Sequence, residues 1–474
     1  MMRSIAALPL LATLLLAGLA APALAQVPVI DGVLVEPAAP TTRDDIELVV
    51  FGRQSPECPF VVGNPTLLPD SSIFRIQASE PACDTPATQA FETRLPLGKA
   101  AAGFYEIQVR RGGQNLAWQE QFQVIDPSPS VFLHGEQFQA IVEWSNPRDG
   151  SRGFGYARRL TGESATFWFF DPANVELTLK VLDGQAVNTH WWVFLASMTD
   201  LQVKVTVYDN RTGCLALPVV PPACPSRVYE QEAGTNRNFQ DTEAFFAETG
   251  SLAAAAQTPP QQLLAVESST PSSLEPVLVT ASVFAPSDPN LRFAGVTGNR
   301  IRFTADLITV PVTPPPSTYW TATAGVGPLP AGLYVLELAY NAGGPIVTHA
   351  FRVLAPEPTL VLHEDEPHWP FAVSVDWQLP SGATGQGNAV RLTDESGYFW
   401  FFDPGNAEIT IKILDGRPVN GHWWVFIASM TNVEATIRVT QCPPEGPIGA
   451  PCIEKVYTMP QGVNRNFLDT ETLF

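Results

Sequence analysis

The sequence predicts an all-β chain, organised as tandem β-sandwich domains in an A-B-A′-B′ duplication. Three observations lead there. First, apolar and polar residues alternate: Leu177, Leu179 and Val181 with Glu176, Thr178 and Lys180, then Leu201, Val203, Val205 and Val207 with Gln202, Lys204 and Thr206. A period of two sends successive side chains to opposite faces of a strand, and a polar face backing an apolar one suits a half-exposed antiparallel sheet. Second, the 33 residues from Phe167 to Thr199 return from Phe399 to Thr431 with 24 identities, and four of the nine exchanges are among Leu, Val and Ile. Third, 45 prolines and 34 glycines punctuate short apolar runs, and no amphipathic helix is evident after the N-terminal segment.

In chain order, residues 1–25 have the form of a secretory signal, with Arg3, an apolar stretch from Leu8 to Leu19, and Ala23-Leu24-Ala25 before Gln26. The stretch is short for a membrane span and no second long apolar run follows. The expected mature chain is therefore secreted (periplasmic, cell-surface or extracellular) and inserts in no membrane. Residues 26–127 are expected to form sandwich A, in which Ile46, Leu48 and Val50 begin one sheet while Tyr105, Ile107, Val109, Phe122 and Val124 complete another. Residues 128–246 form module B, and residues 247–262, rich in Ala and Gln, a linker expected to permit movement between the halves. Residues 263–356 form A′, where AGLYVLEL answers the AGFYEIQV of A, and residues 357–474 form B′, where NRNFLDTE answers NRNFQDTE.

Six cysteines in an exported chain are read as three disulfides. Cys214 with Cys224 and Cys442 with Cys452 share one spacing at corresponding places, which leaves Cys58 with Cys83. The formal charge of −20 and the absence of a basic run exclude nucleic acid as a partner.

Each B module carries a V-E-W or V-D-W strand, FWFFDP, N-x-E, LDG, VN-x-H and W-V-F. In this combination it resembles an uncharacterised β-rich module of secreted bacterial proteins. The A domains resemble an extracellular immunoglobulin-like module that holds two cysteines and a closing PL-x-x-G-x-Y strand, seen here as Leu329-Pro330-Ala331-Gly332-Leu333-Tyr334. A′ departs from it by lacking the cysteines, and A by having Leu97-Gly98-Lys99-Ala100 at the proline. The resemblance implies location and modular use, and carries no activity, ligand or catalytic residue.

The candidate binding residues are aromatic: Trp168, Trp191 and Trp192, with Trp400, Trp423 and Trp424. Strand alternation turns Trp191 away from Trp192, and Phe167 and Phe169 away from Trp168 and Phe170. One row fills a core. The other needs a cover, whether a loop, the adjacent A domain, or a ligand such as a sugar ring or apolar peptide.

Asp183-Gly184 and Asp415-Gly416 read as turns in which Gly supplies a positive φ, with Ca²⁺ ligation as the rival reading. Asp171-Pro172 and Asp403-Pro404 read as strand ends, and His190 and His422 as hydrogen-bonding residues. His363-Glu364-Asp365-Glu366-Pro367-His368 has the wrong spacing for a zinc helix, and Pro367 would break one. No catalytic residue, metal ligand or cofactor is expected. The expected function is non-enzymatic binding or structure, with an extracellular protein or glycan as partner and B and B′ presenting equivalent surfaces. An extracellular hydrolase, or an accessory subunit of one, is the alternative.

Overall fold

The computed structural model describes residues 29–69, 71–79, 89–112, 115–212, 225–246, 263–266, 271–274, 276–285, 287–306, 318–340, 345–364, 370–442 and 452–473. The signal-like segment, the 247–262 linker, Cys83, Cys214, Cys224 and residues 365–369 lie outside them. The described chain is all-β, with two four-residue helices and one short 3₁₀ turn among its strands.

In the 26–127 segment, Val29–Glu36, Ile46–Gln54 and Gln89–Gly98 form one sheet. A second sheet runs Val61–Val62, Ile73–Ser79, Gly103–Arg111, Asn115–Val124, with Thr66–Leu67 beside Ile73–Ser79. Ile46, Leu48 and Val50 share a core with Ile107, Val109, Phe122 and Val124, as the alternation predicts. The 263–356 segment repeats the plan: Leu264–Val266, Val277–Ala285 and Thr318–Val326 form one sheet, and Arg292–Thr297, Arg300–Ala305, Gly332–Tyr340 and Pro345–Val353 the other. Both larger sheets contain the same parallel pairing, Ile73–Ser79 with Gly103–Arg111 and Arg300–Ala305 with Gly332–Tyr340.

The 128–246 segment has two five-stranded sheets. One runs Arg152–Phe154, Phe138–Ser145, Gln202–Asp209, Ser226–Gln231, with Ser130–Leu133 also on Phe138–Ser145; the other runs Tyr156–Arg159, Ser164–Trp168, Leu177–Gly184, His190–Ser197, Phe239–Phe246. The 357–474 segment has the same strands in the same order. Phe167, Phe169, Leu177, Leu179, Val181 and Trp191 point inward to one core, and Phe399, Phe401, Ile409, Ile411, Ile413 and Trp423 do so in the second segment. Leu177, Leu179 and Val181 are the apolar row that the period of two selects, while for the aromatic residues alternation separates two rows without saying which is inside.

The Asp-Gly turns depart from expectation. Gly184 and Gly416 have φ of −96° and −88°, so positive φ is not what demands glycine there. A short helix, Gln185–Asn188 or Arg417–Asn420, follows each, started by a backbone N–H donating to the aspartate at 2.9 or 3.0 Å. Glycine is required because an added Cβ at either position would fall 2.1 Å from the Trp192 or Trp424 indole. The left-handed residues are instead Thr189 and Gly421, which close the helices.

Cys442 and Cys452 are joined across the loop between Glu434–Gln441 and Ile453–Met459. Cys58 is also disulfide-bonded, and its expected partner Cys83 lies outside the described residues.

Two further expectations are corrected. The polar row Glu176, Thr178 and Lys180 is not solvated: these residues and their counterparts Glu408, Thr410 and Lys412 are all buried. Nor are the halves independent. Thr348 donates to the Gln119 carbonyl at 3.1 Å and the Glu120 carboxylate at 3.0 Å, Arg352 pairs with Glu92 at 2.9 Å, and Val335 and Ala350 join the core of the first segment.

Candidate functional site at the face between the two repeats

What buries the polar row is its own copy. The outer faces of the Leu177–Gly184 and Ile409–Asp415 sheets pack on each other, and Phe194, Ala196 and Met198 enter one apolar cluster with Tyr398, Trp400, Ala428 and Met430. Most of the polar contacts across this face come in reciprocal pairs. Thr178 and Thr410, which occupy the same place in the two copies, meet with hydroxyls 3.1 Å apart. Lys180 donates to Asn406 at 2.6 Å and Lys412 to Asn174 at 2.6 Å. Thr161 donates to the carbonyl of Gly405 and Thr393 to that of Ala173, each at 3.0 Å. Asn238 donates to the Ser429 carbonyl at 2.8 Å and Asn466 to that of Ser197 at 3.0 Å. A contacting b′ while b contacts a′ is the pattern of an isologous two-fold interface, here within one chain.

Charge inside this face is held by few partners. Lys180 and Lys412 are each 2% exposed and lie against the rings of Phe194 and Phe426 at 5.0 and 4.8 Å. Burial depresses both lysines, opposed by the neighbouring carboxylates. Lys412 reaches Glu176 at 3.4 Å. Burial raises Glu408, and one of its oxygens has no hydrogen-bond partner. Glu163 is pushed up to about 7, first by burial and then by Asp403 across the interface. Burial, then Asp171 and Asp394 opposed by His363, raises Glu395 in the corresponding place. These carboxylates are displaced by packing within a contact, the ordinary effect of desolvation.

The six candidate tryptophans do not form an open platform. Trp168, Trp191, Trp400 and Trp423 are buried, while Trp192 and Trp424 are half-buried and donate to Asn188 and Asn420 at 2.8 and 3.0 Å. Asn188 and Asn420 thus orient indoles. His363 is likewise a packing residue, its Nε2 2.8 Å from the Ile413 carbonyl and its ring 4.6 Å from that of Trp423. His134 matches it, 2.7 Å from the Val181 carbonyl and 4.7 Å from the Trp191 ring. In the sequence each histidine directly follows a matching strand, Ser130–Leu133 or Thr359–Leu362, but nothing there shows that both rings pack on a tryptophan. His190 has Nδ1 2.6 Å from the Asn188 carbonyl. Among the described residues no group of three or more His, Cys, Asp or Glu is placed to hold a metal ion.

What stays open lies at the far edges. Trp144 and Trp377 are half-buried beside the exposed Phe170 and Phe402, with ring centroids 4.8 and 4.9 Å apart. Each indole donates to a carbonyl of the edge strand, Phe154 or Gln386, at 3.1 Å.

No known protein family, curated protein or solved structure matches the chain. Among the described residues no helix is long and apolar enough to cross a membrane.

Proposed function

We propose that this is an exported, non-enzymatic binding or structural protein of the periplasm, cell surface or extracellular space. In this reading it is an A-B-A′-B′ duplication of β-sandwich domains, immunoglobulin-like at the A positions, whose B modules dock as an internal dimer. The observation that carries the reading is the mutual burial of the two outer faces. The most chemically loaded surface of each copy is spent on the other copy, and the aromatic edges at Trp144 and Trp377 are left facing outward as the contact surface. The Cys442–Cys452 disulfide supports an oxidising compartment.

The test is to immobilise the mature chain and present envelope preparations, glycans and secreted proteins. Retention of a component that is released chemically unchanged is the expected result. Turnover of a glycan or peptide by the purified chain would overturn the reading.

A further inference from the structure

At every second residue the outer row of each B sheet presents Asn, Glu, Thr and Lys: Asn174, Glu176, Thr178 and Lys180 in one copy, Asn406, Glu408, Thr410 and Lys412 in the other. A period of two puts such residues on one face. Because Thr178 meets Thr410, each lysine is delivered to the asparagine of the opposite copy. The N-x-E motif of one module thus faces the strand lysine of the other, although 226 residues separate Lys180 from Asn406 along the chain.

The two ends of this row are not equal. Lys412 lies 2.6 Å from Oδ1 of Asn174 but also 3.4 Å from Glu176, which holds it in an ion pair. Lys180 lies 2.6 Å from Oδ1 of Asn406 and forms no salt bridge among the described residues. Nδ2 of Asn406 donates to Oε1 of Glu408 at 3.3 Å, and Oε2 of Glu408 is buried without a hydrogen-bond partner. An amine, a carboxamide and a carboxyl group therefore stand in a row. Lys180 and Glu408 are 2% and 4% exposed, and the Phe194 ring lies 5.0 Å from the amine.

We propose that Lys180 and Asn406 condense into an amide bond that joins the two B modules covalently, with Glu408 as the acid and base of the reaction. This goes beyond the binding reading above and does not depend on it. The reaction needs an uncharged amine, since only a free lone pair attacks a carbonyl carbon. Burial lowers Lys180, opposed by Glu408 and Glu163, and raises Glu408, opposed first by Lys180, so both are driven toward their neutral forms. Cγ of Asn406 lies at most one C=O length beyond the contacted oxygen, about 3.8 Å from the amine. Well-oriented groups held this close react at effective molarities of roughly 10⁵–10⁸ M.

The Nζ lone pair attacks Cγ as the Glu408 acid protonates Oδ1. The Glu408 carboxylate then takes a proton from Nζ and passes it to Nδ2. The Cγ–Nδ2 bond breaks, ammonia leaves, and the proton on Oδ1 returns to Glu408. One C–N bond replaces another, so no oxidant or cofactor enters, and the escape of ammonia into solvent carries the reaction forward.

The test uses the mature full-length chain with a protease site introduced between residues 251 and 262. After cutting, disulfide reduction and boiling in denaturant, the two pieces are expected to run as one band. Tandem mass spectrometry is expected to find a peptide pair joined through Lys180 and Asn406 with the loss of one ammonia. Asn406→Ala and Glu408→Gln should each lower the linked fraction tenfold or more, while gel filtration of the cut protein without denaturant still gives one peak. Two bands from the wild-type sequence, a peptide pair joined through other residues, or Glu408→Gln linked as fully as wild type would each overturn the proposal.

Discussion

At Gly184 and Gly416 an alanine methyl would fall 2.1 Å from an indole that is itself tied to Asn188 or Asn420. The ring cannot yield without losing that bond. Gly184→Ala is expected to destabilise the protein by about 1–3 kcal/mol, the usual cost of overpacking, measured by urea unfolding followed through tryptophan emission. The buried lysines give a sharper contrast. Lys412→Ala leaves Glu176 without its cation in a sealed contact and should cost about 3–5 kcal/mol. Lys412→Met combined with Glu176→Gln should be near neutral or stabilising, because both desolvation penalties vanish and Asn174 still has an acceptor at residue 176. Equal loss in the single and double variants would show that the charge pair is not what the contact responds to. The glycine requirement was legible as a dipeptide, but its cause was not. Turn chemistry and an overlying indole both select glycine, and only three-dimensional placement separates them.

The strand Leu177–Gly184 shows how far a period of two reaches. Alternation correctly assigns Leu177, Leu179 and Val181 to the inner core, because one face of a sheet must be apolar. It cannot say what covers the other face. Glu176, Thr178 and Lys180 have the composition of a solvated row and become buried only because a second copy supplies matching partners. The hint in the sequence was the return of the same polar residues at 408, 410 and 412 beside aromatic neighbours, a repetition that a merely wet face does not require. The buried row also sets a pH dependence. Glu163 binds its proton more tightly folded than unfolded, with a pKa near 7 against the usual 4.5. Its contribution is therefore fully present below about pH 4.5 and is lost as pH rises through 7. Allowing for screening at a partly exposed carboxylate, the wild type should gain about 1–2 kcal/mol over Glu163→Gln between pH 7.5 and 4.5, measured by urea midpoints at each pH. The depressed lysines act oppositely, since their burial cost is relieved as pH rises toward the ordinary lysine range. A flat difference between wild type and Glu163→Gln would place that carboxylate in solvent.

For the whole molecule, the return of residues 167–199 at 399–431 is written in the sequence, whereas the way the two copies meet is not. Nothing in a repeat states whether its copies lie apart or face each other. The contacts from Thr178 to Thr410 and from Thr348 to Gln119 tie the halves at two places. A protease site introduced between residues 251 and 262 and then cut should leave both pieces in one peak on gel filtration at micromolar concentration. Two separated peaks would mean that the linker, not the interface, keeps the halves together. The reciprocal interface also has a consequence for how the protein tolerates scarcity. A dimer of separate subunits falls apart once its concentration drops below its dissociation constant. Here the two partners lie on one chain, so their association is an intramolecular event. The paired state is therefore immune to dilution, and no match in expression between two gene products is needed to form it.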